Sequence, residues 1–449
     1  MAKEGYQYKI VLGRSKSKLL KYDTRATVLL AKQYVQMLER STASQPVYLD
    51  LDKAHVCFVC GKRGSGKSYT MGSIAEGIAD SEVSENISVI IFDTMGIYWT
   101  MKYPNHKPDE ERLLKEWGLE GKGFEQVKVY TPVGLYKEYR KKAKTRTDAP
   151  FSLRASELLP EDWILALDLS PGSSVAAFVE RVILKLKDAY GDDPYGIDDI
   201  LEYIKEQDEN IDIKRQAITR FESADRWGLF SEEATPIREL AKGGQVTVID
   251  LSAYAQVANG WKIKALTVGF VSLNLFKQRM SVRADEEYQT IESTMHYLLE
   301  EGVKTQSSKM PIVWMFLDEA HEFLPLEGKT GASDALITLL REGRQPGIAM
   351  VLATQQPGKI HTDAMTQSDI LLAHRLTAKI DVEALGALMQ SYLRKGLDME
   401  LKNLPSRPGA ALVVDDENER MFPVQMRPRM SWHGGSAPGL LHEKKKGFD

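Results

Sequence analysis

The sequence predicts an α/β protein built on a mostly parallel sheet, with a mainly helical segment inserted into it. Three observations carry that reading. Short apolar runs at His55–Cys60, Ile87–Phe92, Ile312–Leu317 and Gly347–Thr354 read as buried strands. Helix-like patterns follow most of them, giving an alternating rhythm. Polar or acidic residues close several of these runs: Asp93, the pair Asp318-Glu319, and Gln355. The carboxyl ends of parallel strands are where ligands sit in open α/β sheets.

The chain has 449 residues, enough for several domain-sized units or one core with large insertions. A hydrophobic share of 43% and a charged share of 27% are those of a globular protein in water. No apolar run approaches the length of a membrane span, so no membrane insertion is expected. The start, Met1 to Gln7, lacks an apolar signal core, and a cytoplasmic location follows as an expectation. Cys57 and Cys60 are the only cysteines. They lack the second ligand pair of a zinc site, and three residues apart on a strand they face opposite sides, so both read as small buried residues. A net charge of −4 gives no bulk attraction to nucleic acid but leaves room for a local basic channel.

Taken in order, residues 1–46 form a short N-terminal region with basic Lys9, Arg14, Lys16, Lys18 and Lys21 and an expected amphipathic helix over 26–39. A strand pattern begins at Val47. The core is expected over 47–104 and 245–427, with 105–244 as the mainly helical insertion. Within it, Val175, Phe178, Val179, Val182, Ile183 and Leu186 recur at helical spacing. The run Lys137–Arg146 is basic and reads either as a solvated loop or as a DNA contact. A long helix follows from Lys262 to Arg279, and another is expected over 381–394. Ala410–Val414 and Phe422–Met426 form an expected edge hairpin. The tail 428–449 is loop-like and is expected to pack on a neighbouring subunit.

The chemistry concentrates at Gly61-Lys62-Arg63-Gly64-Ser65-Gly66-Lys67-Ser68, between an apolar strand and a helix opening at Tyr69. Glycines at this spacing let backbone N–H groups turn toward phosphates, Lys67 supplies positive charge, and the Ser68 hydroxyl can ligate Mg²⁺. The expected ligand is ATP or GTP. Asp318 fits a carboxylate that orients Mg²⁺, Glu319 one that polarises the attacking water, and Gln355 an amide that senses water or the γ-phosphate. Asp93 sits either at this ligand edge or simply caps a turn. Hydrolysis also calls for a cation that arrives as charge develops, and Arg341, Arg344 and Arg375 are the candidates. Arg344 lies in the turn Glu342–Gly347, from which it can project into another subunit's site, or form a surface salt bridge. Lys329, in the Gly-rich loop 324–333, is either a DNA-phosphate donor or part of an ordinary loop.

Together, Tyr48–Leu51, Gly61–Thr70, Leu317–Leu324, Arg341–Arg344, Ala353–Pro357 and Ser431–Gly435 resemble the HerA–FtsK superfamily, in particular HerA-like ATPases. The resemblance spans roughly Val47 to Gly435 and implies a RecA-like P-loop core. It also implies a hexameric ring with double-stranded DNA in its channel, ATP and Mg²⁺ between subunits, and Arg344 as an arginine acting in trans. Relatives pair with NurA-like nucleases in DNA-end resection or with effectors in phage defence. The chain departs from the family in two places: the N-terminal β-barrel is not read in the first 46 residues, and the turn after the second core strand has Gly96-Ile97-Tyr98 instead of Gly-Glu-Tyr. Two other functions fit the same nucleotide motifs: a conjugation- or secretion-type pump for DNA or protein, and an ATP-switched regulatory subunit of a nuclease.

Overall fold

The computed structural model describes residues 9–37, 40–142, 146–257, 259–298, 310–388 and 391–435. Lys144 of the basic run, and Pro438 and Lys444–Lys446 of the tail, lie outside the described residues. Strands β1 (Ile10–Leu12), β2 (Thr27–Met37), β3 (Arg40–Asp50), β4 (Val56–Cys60), β5 (Ile87–Asp93), β6 (Val127–Pro132), β7 (Ala149–Phe151), β8 (Val246–Asp250), β9 (Ile312–Leu317), β10 (Ile348–Thr354), β11 (Ile370–His374), β12 (Ala410–Asp415) and β13 (Arg420–Met426) join in one sheet. Its order is β1-β3-β2-β13-β12-β11-β4-β10-β9-β5-β8-β6-β7. Every neighbouring pair from β11 to β7 is parallel. From β11 to β3 the pairing is antiparallel.

Both faces of the sheet are covered, which explains the near-continuous apolar strands. Successive residues alternate between two cores. Phe58, Ile90, Phe92 and Leu352 enter one with the long helix Gly260–Leu298 and the bundle around Trp163, Phe178 and Phe221. Cys57, Val59, Ile91 and Val351 enter the other with Met71, Ile74 and Ile78 of the helix Lys67–Ala79. Both cysteines are free and buried, and burial pushes both thiols up, as expected of packing residues.

Several expectations are corrected. Residues 27–37 form β2, not a helix; Val28 and Leu30 are buried two apart, and pairing with β3 and β13 decides the outcome. The expected boundary at residue 46 falls inside β3. The N-terminal region is tied into the sheet by buried Arg14, whose Nε donates to Asp50 at 2.9 Å. His55 lies between Asp50 at 3.3 Å and Asp369 at 2.6 Å, and these carboxylates raise its pKa against the lowering effect of burial. With β2 and β3 beyond it, the β12–β13 hairpin is internal to the sheet and not an edge. The 105–244 segment is not simply a helical insertion, because β6 and β7 extend the parallel sheet before the helices Ser174–Tyr190, Ile197–Glu206 and Ile211–Asp225 begin. The helix expected over 381–394 is two helices, Lys379–Leu388 and Ser391–Asn403. Of the tail, residues 428–435 are held by the buried carboxylate of Glu76 on their own chain, while 436–449 lie outside the described residues and the expected packing on a neighbouring subunit is neither met nor overturned. Among the described residues no helix is long and apolar enough to cross a membrane.

Candidate functional site

Register brings the sequence-predicted residues together. Cys60 pairs with Thr354 and Leu317 with Leu352, so Gly61, Gln355 and Asp318 leave three adjacent strands at one edge. Gly61 has φ +155°, and a Cβ there would stand 2.5 Å from Ser65 Oγ and 2.7 Å from His374 Cβ. Gly66, at φ +109°, starts the helix Lys67–Ala79 in a conformation that favours glycine. The loop is pinned by Lys62 N donating to the Arg375 carbonyl at 3.0 Å and by Lys67 Nζ donating to the Lys62 carbonyl at 3.3 Å. Burial lowers the Lys67 pKa, against the pull of Glu319 and Asp318. Beneath the loop, burial lowers His374 to about 4, so it is neutral. Its Nδ1–H donates to the Ala410 carbonyl at 3.1 Å, which leaves Nε2 to accept from the Thr70 hydroxyl at 3.0 Å.

The acidic side is equally connected. Ser68 Oγ donates to Asp318 Oδ2 at 2.6 Å, and the Tyr98 hydroxyl lies 3.5 Å from the same oxygen. The Glu319 backbone N–H donates to Asp318 Oδ1 at 3.0 Å. Burial raises the Asp318 pKa, opposed by the Ser68 hydrogen bond. Glu319 has φ +51°, strained for a side chain of this kind. Gln355 Nε2 donates to Glu319 Oε1. Glu319 Oε2 is buried and accepts no hydrogen bond from the described residues; the imidazole Nδ1 of His321 stands 3.6 Å away. Among the described residues no cluster of three His, Cys, Asp or Glu could hold a metal unaided. Ser68 and Asp318 suit Mg²⁺, a hard cation that takes few protein oxygens and fills its shell with water and phosphate.

These groups line one end of a cleft of about 560 Å³. Its other end is walled by residues that sequence reasoning missed. Glu76, fully buried on the loop's own helix, accepts from Arg427 NH1 at 2.8 Å, Met430 N at 2.8 Å, Ser431 N at 3.0 Å and Ser431 Oγ at 2.6 Å. The strap it anchors brings Pro428 and His433 to the cleft. The available signal was Arg427 and Arg429 beside a strand: cations there need an acid if they are buried.

The remaining candidates disperse. Asp93 caps a turn, accepting from the backbone N–H of Met95, Gly96 and Tyr98 at 3.2, 2.7 and 2.8 Å. Burial and neighbouring Asp250 raise its pKa. Arg341 pairs with Asp363 and Lys329 with Asp334, each on the surface. Exposed Arg375 NH1 lies 3.4 Å from Ser406 Oγ. Arg344 lies at the opposite end of β10 from Gln355. It is exposed, and no side-chain hydrogen bond or ion pair joins it to the described residues. Its turn is braced by Arg279, 3% exposed, which donates to the carbonyls of Pro346 and Met310 at 2.7 Å each.

With this geometry in view, comparison with known proteins is informative. The sequence model of the helicase HerA central domain (DUF87) matches residues 36–263. A probable DNA double-strand break repair helicase HerA from Methanocaldococcus jannaschii is 24% identical over 133 residues, which cover 28% of this chain and 25% of that relative. This chain therefore aligns with about a quarter of the curated relative it matches. The structure of VirB4 from Thermoanaerobacter pseudethanolicus superposes with a TM-score of 0.52 at 13% identity, covering 90% of this chain and 96% of that one. The bacterial conjugative coupling protein TrwBΔN70 gives 0.48 at 14% identity, covering 96% and 95%. At such identities the VirB4 likeness speaks to the fold alone: a large, mostly parallel α/β sheet of the RecA-like P-loop kind. The family match covers half of the chain, and the protein belongs to the family of the helicase HerA central domain.

Proposed function

We propose that this protein is an ATP-hydrolysing ring motor that moves along or unwinds double-stranded DNA, working with a nuclease or similar effector. The observation that carries the hydrolytic part is Glu319. It has one carboxylate oxygen held by Gln355 and the other buried with no hydrogen-bond donor among the described residues, in the lining of the cleft that holds Lys67. A carboxylate of the cleft lining with one oxygen unpaired keeps acceptor capacity for a hydrogen bond from water. The glycine loop and the helix N-terminus would receive the phosphates, with Lys67 as their cation. Ser68 and Asp318 would hold Mg²⁺, which when bound supplies charge neutralisation on the phosphates. Desolvation by burial weakens the positive charge on Lys67 and the negative charge on Asp318, so each charged form gains from an oppositely charged ligand.

Arg344 supports the assembled form of this reading. An exposed arginine on a braced turn, at the end of the sheet away from its own loop, is suited to complete a neighbour's site. A ring of copies, a hexamer on the family likeness, would repeat that junction around a DNA channel. The helicase HerA relative is a probable double-strand break repair protein, and repair with a NurA-like nuclease is the pathway proposed here. Phosphate release should rise when double-stranded DNA is added, and Glu319→Gln should abolish release while nucleotide still binds. Hydrolysis that ignores DNA of every length and strandedness would overturn the motor reading.

A further inference from the structure

The nucleotide cleft has a second half that the glycine loop and the acidic residues leave unused. It lies beyond Tyr69, toward Leu113, Pro428 and His433. The Tyr69 and His433 rings meet edge to face, with centroids 5.3 Å apart at 73°. Both are fixed from behind. The Tyr69 hydroxyl donates to Glu110 Oε2 at 2.9 Å and accepts from Arg429 N at 2.7 Å. His433 Nδ1 lies 3.2 Å from Arg429 NH1. Burial and the cations Arg429 and Lys107 hold the imidazole neutral, with a pKa near 3. Behind the strap stands the Glu76 carboxylate, on the same helix as Lys67 and Ser68. Two neutral rings, a proline and a leucine, continuous with a phosphate-binding loop, make a surface for a flat aromatic group.

We propose that this strap, Pro428–Gly435, forms in cis the wall that holds the base of the nucleoside triphosphate, with His433 as the contact that gives the base its affinity. The proposal rests on the reading that the loop binds such a ligand. Two polar side chains of the cleft lining are already engaged: Glu110 also accepts from Asn105 Nδ2 at 2.7 Å, and Gln425 Nε2 donates to the Pro408 carbonyl at 3.0 Å. Ring contact, rather than side-chain reading of the base edge, is the recognition these residues offer.

The test separates base from phosphates. Binding of a non-hydrolysable ATP analogue and of inorganic tripolyphosphate to the full chain, both with Mg²⁺, is measured by calorimetry. His433→Ala should weaken the analogue roughly ten- to hundredfold, the scale of one ring–base stack, and leave tripolyphosphate unchanged. His433→Phe, which keeps a ring, should restore most of the loss. Retained tripolyphosphate binding reports that the variant is folded. Equal loss of both ligands, or loss of neither, overturns the proposal. It also falls if the wild-type chain gains nothing from the adenosine group. Wild-type protein that binds neither ligand would instead overturn the nucleotide reading on which it rests.

Discussion

Arg344→Ala is the perturbation that tests whether the catalytic site is shared between subunits. Arg344 precedes β10 by a short turn and Gln355 follows it directly, so the seven strand residues Ile348–Thr354 lie between them. At a strand rise of about 3.3 Å per residue this is roughly 20 Å, several times the reach of a side chain. Arg344 therefore cannot meet the γ-phosphate of a nucleotide on its own loop. If it acts on a neighbour's, its removal should cut hydrolysis by about 10³, or ~4 kcal/mol of transition-state stabilisation, with nucleotide affinity unchanged. Mixing then gives a second magnitude. Each junction takes Lys67 from one subunit and Arg344 from the next. In an equal mixture of Arg344→Ala and Lys67→Ala chains about one junction in four is intact, so roughly a quarter of wild-type activity should return if junctions turn over independently. The assay is steady-state phosphate release from each variant alone and from the mixture after exchange. Hydrolysis by Arg344→Ala close to wild type, or a mixture no better than the average of its parts, would refute the reasoning.

Glu319→Gln keeps the shape of the acid but not its charge, and turnover should fall by about 10²–10⁴ with the nucleotide dissociation constant unchanged, read by phosphate release and calorimetry. Arg279→Ala should lower turnover by roughly ten- to hundredfold through the loosened Arg344 turn; a loss of nucleotide affinity instead would count against a positioning role. His374 titrates near 4 in the fold, while an exposed histidine titrates near 6.5. Below about pH 6.5 the unfolded chain takes up a proton that the folded chain refuses, so this group's stabilisation is full above that pH and declines as pH falls toward 4, by about 3 kcal/mol. Because His433 shifts the same way and His55 the opposite way, the check is the difference in melting temperature between wild type and His374→Gln across that window, which should shrink as the pH drops.

The glycine loop was legible because everything that marks it is local: Gly61, Gly64 and Gly66, then Lys67 and Ser68, between a strand and a helix. Asp318, Glu319 and Gln355 were legible because buried parallel strands announce themselves as apolar runs, and their carboxyl ends converge on one edge. The failures share a cause. The 26–39 stretch carries apolar residues at a spacing compatible with a helix, and only partners far along the chain, β3 and β13, make it a strand. In β6, Lys128 and Pro132 break the apolar run, so its place beside β8 was hidden. Ser431–Gly435 stood out by its resemblance, but the attachment of the strap was hidden for the same reason: Arg427, Met430 and Ser431 gain meaning only from Glu76, an acid inside a helix whose burial no local pattern declares.

That dependence bears on how the motor would work. Glu76 lies on the helix that begins with Lys67 and Ser68, so the strap and the glycine loop are tied to one helix. Opening the strap would strip a buried carboxylate of its donors, a change that costs about 3–5 kcal/mol when a buried ion loses its partner. Base and phosphate walls should therefore move together through the cycle, with the nucleotide carried as cargo of one subunit. Arg344 has no such tie to the loop of its own chain, since its turn is held by Arg279, through the Pro346 carbonyl, at the far end of the sheet. A rotation between neighbouring subunits would then change the γ-phosphate end alone, admitting or withdrawing the arginine while binding stays intact. On this argument ATP affinity should be nearly the same in isolated subunits and in the ring, whereas turnover should appear only on assembly. Titrating analogue binding and phosphate release against protein concentration separates the two. Affinity that rises in step with turnover would mean that the neighbour holds the base as well, and the cis wall would have to be abandoned.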